Sequence, residues 1–100
     1  MPDRIRLDGR VAVVTGAAGV IGTATIRLLA ERGARIVAID RREQDLHAAI
    51  SGLPASAEAL ALTADVTQDD ELAEYVRATL DRFGTIDAFY TTPAAWWARR

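Results

Sequence analysis

Cysteine and lysine are both missing from this chain of 100 residues, and all twelve basic side chains are arginine. Without cysteine there is neither a disulfide nor a thiolate. Without lysine, any mechanism that needs an amine is excluded for the chain as it stands. Charge of one sign is not in excess either: 14 acids against 12 bases leave a net charge of −2 and an isoelectric point near 5.3, which gives no electrostatic reason to expect nucleic acid or an anionic membrane as partner. A long apolar run is absent too. Residues 11–26 carry no charge, but they fall short of the roughly 20 apolar residues that a bilayer core demands, and they contain Gly16, Gly19 and Gly22 with Thr15, Thr23 and Thr25. The opening MPDRIRLDG has no apolar stretch of signal-peptide type, so a cytoplasmic location is expected.

What is present is ordinary globular composition, with half of the residues apolar and about a quarter charged. The length suits one domain or part of one, and is too short for a cofactor domain plus a substrate domain. Following the turn at Asp8-Gly9, VAVVT at residues 11–15 is a β-branched run of the kind found in strands buried on both faces. Helical spacing starts near Val20, placing Ile21, Thr25, Leu28 and Leu29 on one side, and Gly33 stands where a left-handed residue would end the helix. RIVAID at residues 35–40 predicts a second strand. Residues 43–51 predict a short helix with Leu46, Ala49 and Ile50 on its apolar face, stopped by Gly52 and Pro54. EALALTAD at residues 58–65 predicts a third strand.

Thr67, with Asp70 three positions on, then resembles a capping box, and Leu72, Val76, Leu80 and Phe83 line one face of the helix behind it. Asp69, Asp70 and Glu71 at its start and Arg77 and Arg82 near its end suit the helix dipole. Gly84 ends it, and IDAFY begins a fourth strand. Alternation of this kind, with right-handed crossovers, predicts an α/β fold: a Rossmann-like, doubly wound parallel sheet of order 3-2-1-4, truncated after the fourth strand. Residues 1–90 form the expected partial Rossmann domain, and residues 91–100 an atypical tail.

The stretch TGAAGVIG lies between the first strand and the first helix, the context in which a glycine-rich motif points to a nucleotide. Gly16 permits the tight turn, Gly19 lets a pyrophosphate approach the backbone, and Gly22 lets helix and sheet pack closely. The helix start at Ile21 and Gly22 offers amide donors and positive potential to phosphates. A purely structural strand-to-helix turn is the alternative. Asp40 ends the second strand eighteen residues after Gly22, near the spacing at which an acid bonds the adenosine ribose hydroxyls. Its carboxylate would repel the extra phosphate of NADP, because two like charges in contact cost about 4 kcal/mol at an effective dielectric of 20. NAD is therefore the expected cofactor and NADP the lesser candidate, unless Arg41 or Arg42 turns inward. The competing reading of Asp40 is a cap for the second helix. Asp65 and Val66 end the third strand, where the acid can accept from an adenine amino group while Val66 packs on the ring. An Asp that bonds its own turn is the alternative. His47 has no partner placed to orient it and reads as a solvated side chain, Tyr75 as packing or surface, and the acids at residues 69–71 as a helix start and no metal site.

Taken in order, LDGRVAVVTGAAGVIG, the acid in VAIDR, ADVT and FGTIDAFY resemble the N-terminal half of the short-chain dehydrogenase/reductase family, over about residues 7–90. The resemblance implies hydride transfer between NAD(H) and an alcohol or carbonyl, with a small-molecule substrate and oligomerisation belonging to a full-length parent. It also implies a later Ser, which orients the carbonyl, and a Tyr-x-x-x-Lys pair that moves the proton. Neither is found: Tyr75 is followed four residues on by Thr79, Tyr90 by Ala94, and no lysine exists. The chain alone is thus expected to be catalytically silent. The glycine spacing, TGxxGxxG, resembles the extended branch that includes nucleotide-sugar epimerases and dehydratases, while residues 65–87 resemble the shorter alcohol and ketone dehydrogenases.

The family usually places Asn-Asn-Ala-Gly after the fourth strand, where this chain has Thr91-Thr92-Pro93-Ala94. Read one nucleotide earlier, codons for TTPAAWW are compatible with Asn-Asn-Ala-Gly-Gly-Val-Val. A single-nucleotide deletion near the Tyr90 codon is therefore expected, with the following residues translated out of frame. The rival expectation is a genuine, non-catalytic NAD-binding module in which Trp96 and Trp97 form an exposed anchor for a partner.

Overall fold

The computed structural model describes residues 6–65 and 68–91. Val66 and Thr67, and with them the expected adenine contact of Val66 and the expected capping box, lie outside the described residues, as do Trp96, Trp97 and the rest of residues 92–100.

Among the described residues seven elements alternate: β1 Val11–Thr15, α1 Val20–Glu31, β2 Arg35–Asp40, α2 Glu43–Ser51, β3 Ala59–Thr63, α3 Asp69–Phe83 and β4 Ala88–Thr91. All strand pairings are parallel and the sheet order is β3-β2-β1-β4, as the alternating pattern predicts. The β-branched runs occupy the middle. Every residue of β1 is buried, and in β2 only Arg35 is not, because each of these strands has a neighbour on both sides and helices over both faces.

Side chains alternate across the sheet and define two cores. Ala12, Val14, Ile36 and Ala38 meet Ile26 and Leu29 of α1 and Leu46 of α2 on one face. On the other, Val11, Val13, Val37 and Ile39 meet Tyr75 and Phe83 of α3. Gly33 (φ +95°) and Gly84 (φ +82°) take the left-handed conformation that ends α1 and α3. Asp87 ties β1 to β4 before their ladder begins: Val11 N donates to its Oδ2 at 2.8 Å, and Asp87 N donates to Val11 O at 2.9 Å.

Two helix faces differ from the periodicity reading. On α1 the buried residues are Gly22, Ile26, Leu29 and Ala30, while Ile21 and Leu28 are exposed. The cause is steric. A Cβ on Gly22 would collide with Gly16 O and come within 2.8 Å of Ala17 Cα, so this glycine must face the sheet and it sets the rotation of the helix. On α3 the buried residues are Tyr75, Thr79 and Phe83, while Leu72 and Leu80 are exposed and Val76 is half-buried. The two aromatic rings offer more apolar area than the leucine stripe, and Tyr75 also meets the Phe89 ring of β4 at 6.1 Å. The N-cap of α3 is Gln68, and Glu71 in its first turn reaches back to the end of β3: its Oε1 accepts from Asp65 N at 2.8 Å.

No helix of the described residues is long and apolar enough to cross a membrane.

Candidate functional site

The chain leaves β1 through Gly16, whose φ of +68° is a conformation that side chains rarely tolerate. The turn that follows is sewn to the end of β2. Ala17 N donates to Ile39 O at 3.1 Å, Ala18 N donates to Asp40 Oδ2 at 3.1 Å, and the Thr23 hydroxyl closes the loop onto Ala17 O at 3.0 Å. Gly16 and Gly22 thus each have an internal reason to be glycine. Gly19 has none: its φ is −78°, and a Cβ there would make only ordinary contacts, 3.5 Å to Gly16 O and 3.8 Å to Arg42 Nη2. The bare backbone at Gly19 leaves a shelf that no part of the described chain fills.

Gly19 is the N-cap of α1, with no side-chain cap and no acid in the first turn. The N–H groups of Val20, Ile21 and Gly22 have no acceptor among the described residues. Three free donors at the positive end of a twelve-residue helix, beside a shelf of bare backbone, constitute an anion-binding geometry. The donor set fits a pyrophosphate. Val20 and Ile21 are themselves exposed, which leaves this end of the helix open.

Asp40 closes the site on the β2 side. Only 5 % of its side chain is exposed. Oδ1 accepts from Arg42 N at 3.0 Å and Arg42 Nε at 3.1 Å, and Oδ2 accepts from Ala18 N at 3.1 Å and Arg42 Nη2 at 3.3 Å. Burial pushes this carboxyl upward, but the guanidinium and the two backbone amides outweigh it and hold the group below the usual carboxylate range. It is an ionised, oriented acceptor. The helix-cap alternative does not describe it, since α2 is capped by Arg42 with no side-chain cap bond.

Of the two arginines that follow, both are exposed, but Arg42 folds back onto Asp40 while Arg41 takes no part in the Asp40 cluster. Periodicity could not choose between them. The signal is local, because an Asp whose carboxylate bonds the amide two residues on folds that residue back toward itself. Asp65 is half-buried at the end of β3, where its backbone N–H is held by Glu71 and its carbonyl accepts from Gln68 N at 3.0 Å. His47 is exposed beside Glu43, and Tyr75 is 4 % exposed within the α3 core. Neither stands at the site. Two surface clefts, one along Arg6, Gly33 and Pro54 and one along Leu7, Asp87 and Tyr90, are lined by none of the residues of the glycine turn or of the Asp40 cluster. No group of acids and histidines able to hold a metal exists among the described residues.

A parallel sheet with a glycine turn and a free helix N-terminus at its carboxyl edge defines a Rossmann-like α/β protein. Known proteins narrow the class. The family model described as short chain dehydrogenase matches residues 10–95. The chain is 42 % identical over 82 residues to 1,6-dihydroxycyclohexa-2,4-diene-1-carboxylate dehydrogenase of Pseudomonas putida, covering 82 % of this chain and 30 % of that one. It superposes on the crystal structure of levodione reductase with a TM-score of 0.82 at 36 % identity, covering 84 % of this chain and 34 % of the other. For NAD+-bound xylitol dehydrogenase the TM-score is 0.79 at 35 % identity, with coverages of 82 % and 32 %. The chain belongs to the short chain dehydrogenase family. It spans about a third of the length of the relatives it matches.

Proposed function

We propose that this chain is the dinucleotide-holding N-terminal part of a short chain dehydrogenase, and that its ligand is NAD(H). One observation carries the reading: the free amides of Val20, Ile21 and Gly22 lie at the start of the helix whose glycine turn is bonded directly to the buried Asp40 carboxylate. Donors for a pyrophosphate and an acceptor for a diol are thereby tied to one another through Ala18. In this reading Gly16, Gly19, Ile21 and Gly22 receive the pyrophosphate, Asp40 accepts from the adenosine ribose hydroxyls, Arg41 borders the ribose, and Asp65 with Val66 receives the adenine. The preference for NAD over NADP rests on the ionised Asp40, and the inward guanidinium of Arg42 narrows that preference.

In the parent enzyme the dinucleotide would supply or accept a hydride against an alcohol or carbonyl. The chain as it stands contributes binding and orientation only. It has no lysine, and Tyr75 is enclosed by the core.

Calorimetric titration of the full 100-residue chain with NAD tests the reading. Saturable binding that Asp40→Ala weakens about tenfold or more is expected, since a charge-assisted hydrogen bond is worth about 1.5–3 kcal/mol. Absence of binding, or binding indifferent to Asp40, would overturn it. Turnover of NADH with a carbonyl substrate by the purified chain would refute the silent-fragment part of the proposal.

A further inference from the structure

The carboxylate of Asp40 is filled to capacity. An ionised carboxylate has about four acceptor positions, and all of them are taken. Two of the donors, Ala18 N and Arg42 N, are backbone amides fixed by the glycine turn and by the start of α2. The other two are Nε and Nη2 of the Arg42 side chain, one on each carboxylate oxygen. A vicinal diol likewise carries two O–H donors, one for each oxygen.

The guanidinium is well suited to leave. Its side chain is 53 % exposed, and Nη1 already lies 3.8 Å from Asp45 Oδ2, one helical turn further on. Nη2 also stands 3.8 Å from the point where a side chain on Gly19 would begin, so the group spans the gap between the Asp40 carboxylate and the bare shelf. Small movements of one flexible side chain therefore open both parts of the site.

We propose that the Arg42 guanidinium is the resident occupant of the diol position on Asp40, and that dinucleotide binding requires its displacement toward Asp45. The proposal rests on the assignment of Asp40 to the ribose. Its consequence is an affinity contribution of opposite sign for two cofactors. Against NAD, Arg42 is a competitor that must be removed. For a dinucleotide carrying a 2′-phosphate, the displaced guanidinium remains within reach as a counter-ion. Arg42 thus sets the ratio between the two affinities, and Asp40 alone does not.

The test is titration calorimetry of the full chain with NAD and with NADP at one ionic strength, comparing the parent chain with Arg42→Ala. The expected result is NAD bound about two- to fivefold more tightly, the range for loss of a half-exposed ion pair, and NADP bound about tenfold more weakly. A damaged fold would weaken both ligands together, so equal weakening, or no change for NAD, overturns the role of Arg42. Arg42→Lys provides a second variant should the first fail to fold: its single ammonium cannot cover both oxygens, so NAD must again bind more tightly than to the parent, and an unchanged affinity counts against the proposal. If the parent chain binds NAD but Asp40→Ala does not weaken it, the assignment of Asp40 fails and the proposal falls with it; if Asp40 matters and Arg42 does not, only the proposal fails.

Discussion

The centre of the sheet and its β4 flank are built from similar residues and end up in different states. β1 and β2 are buried along their length, whereas in β4 Ala88 is half-buried and Phe89, Tyr90 and Thr91 are exposed, with Phe89 at 44 % and Tyr90 at 42 %. The cores differ in the same sense. Among the described residues, eleven buried ones join α1 and α2 to one face of the sheet, and six join α3 to the other. Neighbours on both sides, and not residue type, separate the two regions: β1 lies between β2 and β4, while among the described residues β4 pairs with β1 alone. The candidate site stands at the carboxyl end of the centre. Gly16 and Asp40 are therefore positioned by strands buried along their length, and the exposed aromatic residues of β4 are not.

The largest effect that would test this contrast is at the centre. Leu46→Ala removes a fully buried side chain between α2 and the sheet and is expected to cost about 2–5 kcal/mol in urea unfolding. A cost below about 1 kcal/mol would mean that the face is loosely packed and would dissolve the distinction.

Gly22→Ala comes next. The added methyl has no room against Gly16 O, and overpacking should cost about 1–3 kcal/mol. Gly19→Ala sharpens the point, because its methyl meets nothing closer than 3.5 Å. Stability should fall by less than about 1 kcal/mol, while NAD affinity measured by calorimetry drops if the bare backbone is there for a ligand. Equal effects at the two glycines would remove the distinction between a packing glycine and a binding one.

Asp40→Asn is expected to cost about 1–3 kcal/mol at pH 7, because its NH2 group meets donors where the carboxylate met them as an acceptor. The pH dependence has a definite sign. Asp40 titrates below its ordinary value of about 3.9, so its contribution is complete above that value and is lost as the pH falls through the lower folded-state value. Unfolding curves from pH 6 down to pH 2 should therefore converge for the parent and Asp40→Asn at the acid end. Curves that stay parallel would contradict the assignment.

The smallest effect is expected on the open side of α3. Leu80→Gln and Leu72→Gln should change stability by no more than about 0.5 kcal/mol, since both side chains are already more than 40 % exposed. A loss of several kcal/mol at either position would show that this face is covered in solution, and the contrast between centre and flank would then vanish.

Much of this was legible in the residues themselves. The alternation of β-branched runs with helical periods, punctuated by Gly16, Gly33 and Gly84, is local chemistry, and it suffices for seven elements, a parallel sheet and the order 3-2-1-4. The placement of Gly16, Gly22 and Asp40 at one edge follows from the same order. Helix rotation was not legible. On α1 and α3 two neighbouring apolar stripes compete, and the choice depends on a collision with Gly16 O in one case and on the Phe89 ring of β4 in the other. Which of two adjacent arginines turns inward was also hidden, as was the reach of Glu71 back to Asp65.

The sequence by itself determined the elements, their order and the family of this protein, because those depend on spacing, on residues of unusual backbone freedom and on motifs read in one dimension. The tertiary structure alone decided that the Asp40 carboxylate is buried, ionised and already fully bonded, because Ala18 arrives from a different strand-to-helix turn to complete the local bonds from Arg42. A hydrogen bond across 22 residues of chain requires the sheet to exist first.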